Sequence, residues 1–154
     1  MHLSSAGLSL LKKSEGFRDR VYADVAGFPT IGFGHRLGRH EAYPIGINLS
    51  QGEAILSQDL VLAEAAVDRL VKVTLTQGQF DALVDFVFNL GVGRLASSTL
   101  LRYLNTEKYE AAARELLAWD HAGSREIASL KGRREAEFQL WNPRSVAARA
   151  VLAP

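Results

Sequence analysis

Between residues 80 and 88 the apolar side chains Phe80, Leu83, Val84, Val87 and Phe88 recur at i, i+3, i+4, i+7 and i+8. That spacing predicts a helix with one buried face. Thr76-x-x-Gln79 ahead of it is a capping box, and Gly91 is a stop. A second capping-box pattern, Ser50-x-x-Glu53, predicts the start of a longer helix. Ile55, Leu56, Leu60, Leu62, Val67 and Leu70 give that helix apolar surface over several turns. Further helices are expected over residues 3–14, 98–104 and 107–119, and from about 130 to 141. The first has Ser4 or Ser5 as N-cap and Gly16 as stop. The last ends before Pro143. Over residues 17–35 the helical period disappears. "RVYA" and "TIGF" are short β-prone runs on either side of the turn "DVAG". Residues 36–49, with Gly38, Pro44, Gly46 and Asn48, read as loop.

The predicted fold class is α+β, mainly helical, in one domain of two lobes. A small lobe with a short antiparallel sheet takes residues 14–49, and a connecting helix about 50–73. A helical lobe runs over about 74–141, and a tail over 142–154. A cleft between two lobes is where a polymer would lie.

Composition narrows the function classes. Apolar residues make up 47% and charged residues 23%, the balance of a soluble globular protein. The net charge of +1 supplies no global field for nucleic acid, so no nucleic-acid partner is expected. A monomer is expected. Lys131, Arg133, Arg134, Arg144 and Arg149 crowd the last quarter. They are either a solvated basic face or an attraction to an anionic polymer. The absence of cysteine excludes disulfides, thiol nucleophiles and Cys-ligated zinc. His2, His35, His40 and His121 form no HExxH pair, so neither metal nor cofactor is expected. No run approaches the ~20 apolar residues of a membrane span. "LSLL" at 8–11 is too short for a signal peptide, and its lysines follow it. Stable membrane insertion and a signal peptide are therefore not expected.

The candidate chemistry lies in "EGFRDRVYADVAGFPTIGFGH", residues 15–35. Glu15 falls at the end of the first helix, where the helix dipole disfavours a second negative charge, as suits a proton donor. Asp24 falls in a polar turn and is expected to stay ionised. Two carboxyl groups in unequal environments are the arrangement that cleaves glycosidic bonds. Thr30 offers a hydroxyl able to hold water. A Glu near a helix end and an Asp in a turn are also commonplace, so spacing alone leaves the purely structural alternative open.

The same stretch closely resembles the signature of the phage-type lysozymes, glycoside hydrolase family 24. It carries Glu15-Gly16, Tyr22-Ala23-Asp24, Gly27 and Thr30-Ile31-Gly32-Phe33-Gly34-His35. "FNLGVGRLASSTLLRYLN" (88–105) and "SLKGRREAEFQLW" (129–141) are similar to two later family segments, with Ser129 where Gly is usual. The resemblance implies a lysozyme-like fold and hydrolysis of the β-1,4 bond between N-acetylmuramic acid and N-acetylglucosamine in bacterial peptidoglycan. It implies that Glu15 protonates the leaving oxygen while Asp24 and Thr30 position water. His35, Arg36, Phe88, Asn89 and Ser98 are the expected substrate contacts. Ser98 reads equally well as a helix cap, and Phe88 as core. Arg133 is the expected support for Glu15, with Arg134 the alternative. A phage or prophage endolysin of this kind waits in the host cytoplasm until a holin releases it to the wall. Two other functions stay open: a lytic transglycosylase, which needs no water-holding Asp, and a catalytically silent wall-binding module.

Overall fold

The structure is a computed structural model, and it describes residues 1–122 and 125–142. Arg144 and Arg149, and with them the expected role of a basic tail, lie outside the described residues. Seven helices and five short strands occur among the described residues, so the fold is α+β and mainly helical, as expected. Helix α1 spans Ser5–Glu15, and strands β1, β2 and β3 span Arg18–Ala23, Pro29–Gly32 and His35–Arg36. Helix α2 spans Leu49–Leu70, α3 Gln77–Leu90, α4 Val92–Ala96, α5 Thr99–Leu104 and α6 Tyr109–Leu116. A two-stranded ribbon, β4 (His121–Ala122) with β5 (Arg125–Glu126), precedes α7 (Ala128–Trp141). The chain divides into two compact units, residues 11–62 and residues 1–10 with those from 63 onward. Among the described residues no helix is long and apolar enough to cross a membrane.

The first unit is built on an antiparallel sheet in the order β1-β2-β3. Its pairs place Tyr22 opposite Thr30, and Thr30 opposite Arg36. Directly opposed residues share one face of a sheet. One row across three strands therefore carries all three side chains. Leu11, Ile31, Phe33, Ile47, Leu56 and Leu60 are buried and form the unit's core. The Phe17 and Phe33 rings meet at 5.3 Å, and Phe17 lies on Gly52 of α2. A Cβ at position 52 would stand 2.5 Å from that ring, so only glycine admits it.

The second unit packs around α3. Phe80, Leu83, Val84, Phe86 and Val87 are buried there, with Leu95, Leu100, Leu104, Ala112, Ala113 and Leu116 from the following helices. Trp141 on α7 and Trp119 are aromatic packing elements, the latter edge-on to Phe86 at 5.4 Å. The start of the chain is tied into this unit. The Ser4 amide donates to Asp81 at 3.0 Å, its hydroxyl also donates to Asp81, and the Leu3 amide donates to Glu64 at 2.7 Å.

The capping box at Thr76 and Gln79 is present with both reciprocal bonds, and Gly91 ends α3 at φ +90°. Gly16 ends α1 at φ +69°. The start of α2 corrects the sequence-based expectation. Asn48 and Gln51 form the reciprocal pair, each backbone amide donating to the other's side chain at 2.8 Å. Ser50 lies inside the helix. Leu62, expected on an apolar face, is 74% exposed, and Ala63 and Ala66 take the buried positions instead. Strand β3, helix α4 and the β4-β5 ribbon were not foreseen, because each is too short to carry a period.

Asn48→Ala is expected to lower stability by about 1 kcal/mol, the usual cost of a lost N-cap. Ser50→Ala should stay within about 0.5 kcal/mol. Urea unfolding of both variants checks the assignment, and the reverse order would restore the box at Ser50.

Candidate active site

Glu15 is the last residue of α1, half-buried, followed at once by the Gly16 stop. Its carboxylate lies against Gly34 in the turn between β2 and β3. A Cβ built at Gly34 would stand 3.1 Å from Glu15 Oε2, and φ there is +85°. Both facts call for glycine, so this position holds the carboxylate close to the sheet.

Asp24 closes the β1-β2 turn with its own side chain. Oδ1 accepts from the amides of Ala26 at 2.8 Å and Phe28 at 2.9 Å. The backbone adds Asp24 N–H to Phe28 O and Gly27 N–H to Asp24 O, each at 2.9 Å. Gly27 has φ +85°, the left-handed position the turn requires. Oδ2 accepts from Arg36 Nε at 2.8 Å. The Phe28 amide, then the Ala26 amide and the Arg36 guanidinium, hold the Asp24 pKa below the ordinary carboxylate value against a desolvation effect that pushes the other way. Arg36 is itself stacked over the exposed Phe28 ring at 4.6 Å.

Thr30 is 2% exposed, and its hydroxyl donates to Phe28 O at 2.9 Å. With the proton committed there, Oγ1 has only lone pairs left to offer a further partner. Tyr22, opposite Thr30, has its pKa raised by burial first and by the charges of Glu15 and Asp24, against the lowering effect of Arg18. The phenol thus lies within electrostatic reach of both carboxylates. Sequence reasoning gave Tyr22 no role. Its signal was its place near the end of β1, two residues before Asp24.

The expected substrate contacts take varied places. His35 has both ring nitrogens engaged: Nδ1 with Asp59 of α2 at 2.9 Å and Nε2 with Glu41 at 3.0 Å. Arg36 positions Asp24. Phe88 is half-buried on α3, and the Asn89 side-chain oxygen accepts from Arg134 at 2.9 Å. Ser98 is buried and caps α5, accepting from Leu101 N–H at 3.0 Å and donating to Leu95 O at 2.8 Å. Its hydroxyl is committed within the chain. Arg133 grips buried Asp85 through Nε at 2.8 Å and a terminal nitrogen at 2.9 Å. Arg134 meets buried Glu137 at 2.7 Å. Burial pushes the Glu137 pKa well above the ordinary carboxylate value, and the Arg134 charge opposes it. Among the described residues no group of three or more His, Cys, Asp or Glu side chains could hold a metal ion.

Residues 12–137 match the phage lysozyme family. The endolysin of Salmonella phage P22 is 42% identical over 80% of this chain and 86% of its own. The endolysin of Bacillus phage B103 is 41% identical over 92% of this chain, which spans 54% of that relative's length. Among solved structures, the muramidase domain of SpmX from Asticaccaulis excentricus superposes with a TM-score of 0.85 at 34% identity, covering 92% of this chain and 99% of that one.

Burial alone lowers the His35 pKa, but hydrogen bonds to Asp59 and Glu41 outweigh it, and the net shift is upward. A raised folded-state pKa stabilises fully below the unfolded value of about 6.5 and is lost as pH rises through the folded value. His35→Asn should therefore cost on the order of 1 kcal/mol near pH 5.5. The difference from wild type should shrink in alkaline solution. Denaturant titrations at several pH values check this, and a pH-independent difference would remove the charged form from the account.

Proposed function

This chain belongs to the phage lysozyme family, and we propose that it hydrolyses the β-1,4 bond between N-acetylmuramic acid and N-acetylglucosamine in bacterial peptidoglycan. The observation that carries the proposal is the hold on Asp24, whose two oxygens accept from two amides and one guanidinium. A carboxylate fixed in this way keeps its charge and is a poor nucleophile, because the same bonds that lower its basicity occupy its lone pairs. It is suited to orient a water, and it takes that water's proton only once bonding to the anomeric carbon has made the water strongly acidic.

Glu15 is the proposed proton donor. It gives its proton to the leaving glycosidic oxygen as the bond to the anomeric carbon breaks. Water between Asp24 Oδ2 and Thr30 Oγ1 attacks that carbon, and its proton passes to Asp24. Attack from the face opposite the leaving group inverts the anomeric centre. Arg36 keeps Asp24 in place, Gly34 leaves room beside Glu15, and Tyr22 carries the phenol that senses both charges. Phe88 and Asn89 remain proposed sugar contacts. In a cell the chain would act as a phage or prophage endolysin, reaching the wall after release from the cytoplasm.

Clearing of chloroform-treated Gram-negative cells, with mass spectrometry of the fragments, tests this reading. Hydrolysis leaves reducing muramic acid ends, a lytic transglycosylase leaves 1,6-anhydro ends, and a silent module leaves none. Glu15→Gln should fold normally and lose at least ~10²-fold in rate, the low end for removing a general acid. A folded variant that clears walls at the parental rate would contradict the role given to Glu15.

A further inference from the structure

The unit of residues 11–62 carries a depression of about 720 Å³, lined by none of Glu15, Asp24 and Thr30. Arg20 and Val21 of β1, Pro29 at the start of β2, and Arg39, Glu41 and Tyr43 of the following loop form its walls. The loop is tied down on both sides. Leu37 N–H donates to Pro29 O at 2.9 Å, and Ile47 N–H donates to Asp19 O at 2.9 Å. Arg20 donates to Ile45 O at 2.7 Å. Gly46 has φ +78°, and a Cβ there would stand 2.3 Å from Asp19 O, so the loop meets β1 where only glycine fits. The depression is therefore preformed.

Its charge is unbalanced. Among the described residues neither Arg20 nor Arg39 meets a carboxylate, and Arg39 makes no side-chain bond at all. The one acid in the wall, Glu41, is already committed to His35 at 3.0 Å and to the Gly38 amide at 2.6 Å. Two arginines thus line the depression against one committed acid, beside the apolar surface of Val21, Pro29, Leu37 and Pro44, and Val21 is 41% exposed. Guanidinium groups recognise carboxylates through charge-assisted, often paired hydrogen bonds.

We propose that this depression binds the short peptide that branches from muramic acid, with Arg20 and Arg39 taking its free carboxylates. This inference rests on the peptidoglycan reading above. That peptide combines several carboxylates with the methyl group of its alanine, which complements guanidinium groups set beside apolar surface. A phosphate-bearing polymer would be met by cations without the apolar surface. The contact would hold the enzyme on cross-linked wall while the glycan strand is cut elsewhere on the molecule.

The test is an NMR titration of the whole chain with the tripeptide L-alanyl-γ-D-glutamyl-meso-diaminopimelate. Saturable shifts are expected at residues 20–21 and 37–44. Arg39→Gln should weaken binding by about tenfold or more, the effect of losing a hydrogen bond between charged groups. The same peptide with its carboxylates amidated should not bind. Arg39 is exposed and bonds to nothing among the described residues, so the variant's amide spectrum will confirm an intact fold. Glu15→Gln should bind the peptide like the parent, which separates this inference from the hydrolytic reading. In activity, Arg39→Gln should be slower on peptide-bearing wall and unchanged on glycan stripped of peptide. No saturable shift, undiminished binding by Arg39→Gln, or equal shifts with inorganic phosphate would each overturn the proposal.

Discussion

The side chain of Asp24 folds back on its own turn, and the sheet depends on that bond. By accepting from the amides of residues 26 and 28, its carboxylate fixes where β1 ends and β2 begins. That fixes the register, because strand pairing has a period of two and a one-residue slip would turn each side chain to the other face. In the register adopted, Tyr22, Thr30 and Arg36 line up across three strands. Arg36 then reaches back to the remaining carboxylate oxygen. The residue that defines the turn is thus also the residue the turn orients, and local structure and site chemistry share one set of hydrogen bonds. A substitution at Asp24 removes a turn as well as the proposed base, so activity loss alone does not separate the two effects.

The second unit solves a different problem. Asp85, Arg133, Arg134 and Glu137 are all buried, with two ion pairs among them. Removing four charged groups from water is costly, and their mutual attraction repays it only when geometry is good. Arg133 meets this condition with two bonds to one carboxylate. Arg133 with Asp85 and Arg134 with Asn89 join α7 to α3, whereas the Arg134–Glu137 pair lies within α7. Gly78 reinforces the join, since a Cβ there would stand 2.1 Å from Leu140 O.

Much of this was legible in the chain because the signals are local. The Thr76 and Gln79 box, the Gly16 and Gly91 stops and the β-prone runs around "DVAG" each act within a few residues, and each appears where the pattern places it. Glu15, Asp24 and Thr30 fall on the helix end, turn and strand expected of them. Legibility failed where the partner is distant in sequence. Nothing near His35 announces that Asp59 and Glu41 will take both its nitrogens. Nothing near Arg36 separates a sugar contact from a grip on Asp24. Nothing near Arg133 announces its two bonds to Asp85, 48 residues earlier. One local clue was available there: Asp81 and Asp85 interrupt the apolar face of α3 at i and i+4, and an acid on a buried face demands a partner. The Asn48 box was missed for a simpler reason, since Ser50-x-x-Glu53 satisfies the same pattern two residues later.

The account makes Asp24 a fixed base that orients water, never a nucleophile that bonds to sugar. The stereochemistry of the first product decides between them. A β-linked substrate cleaved by NMR-monitored reaction, observed before mutarotation, should give the α-anomer first. An initial β-anomer would mean a covalent or substrate-assisted route, and the roles assigned to Asp24 and Thr30 would fall together.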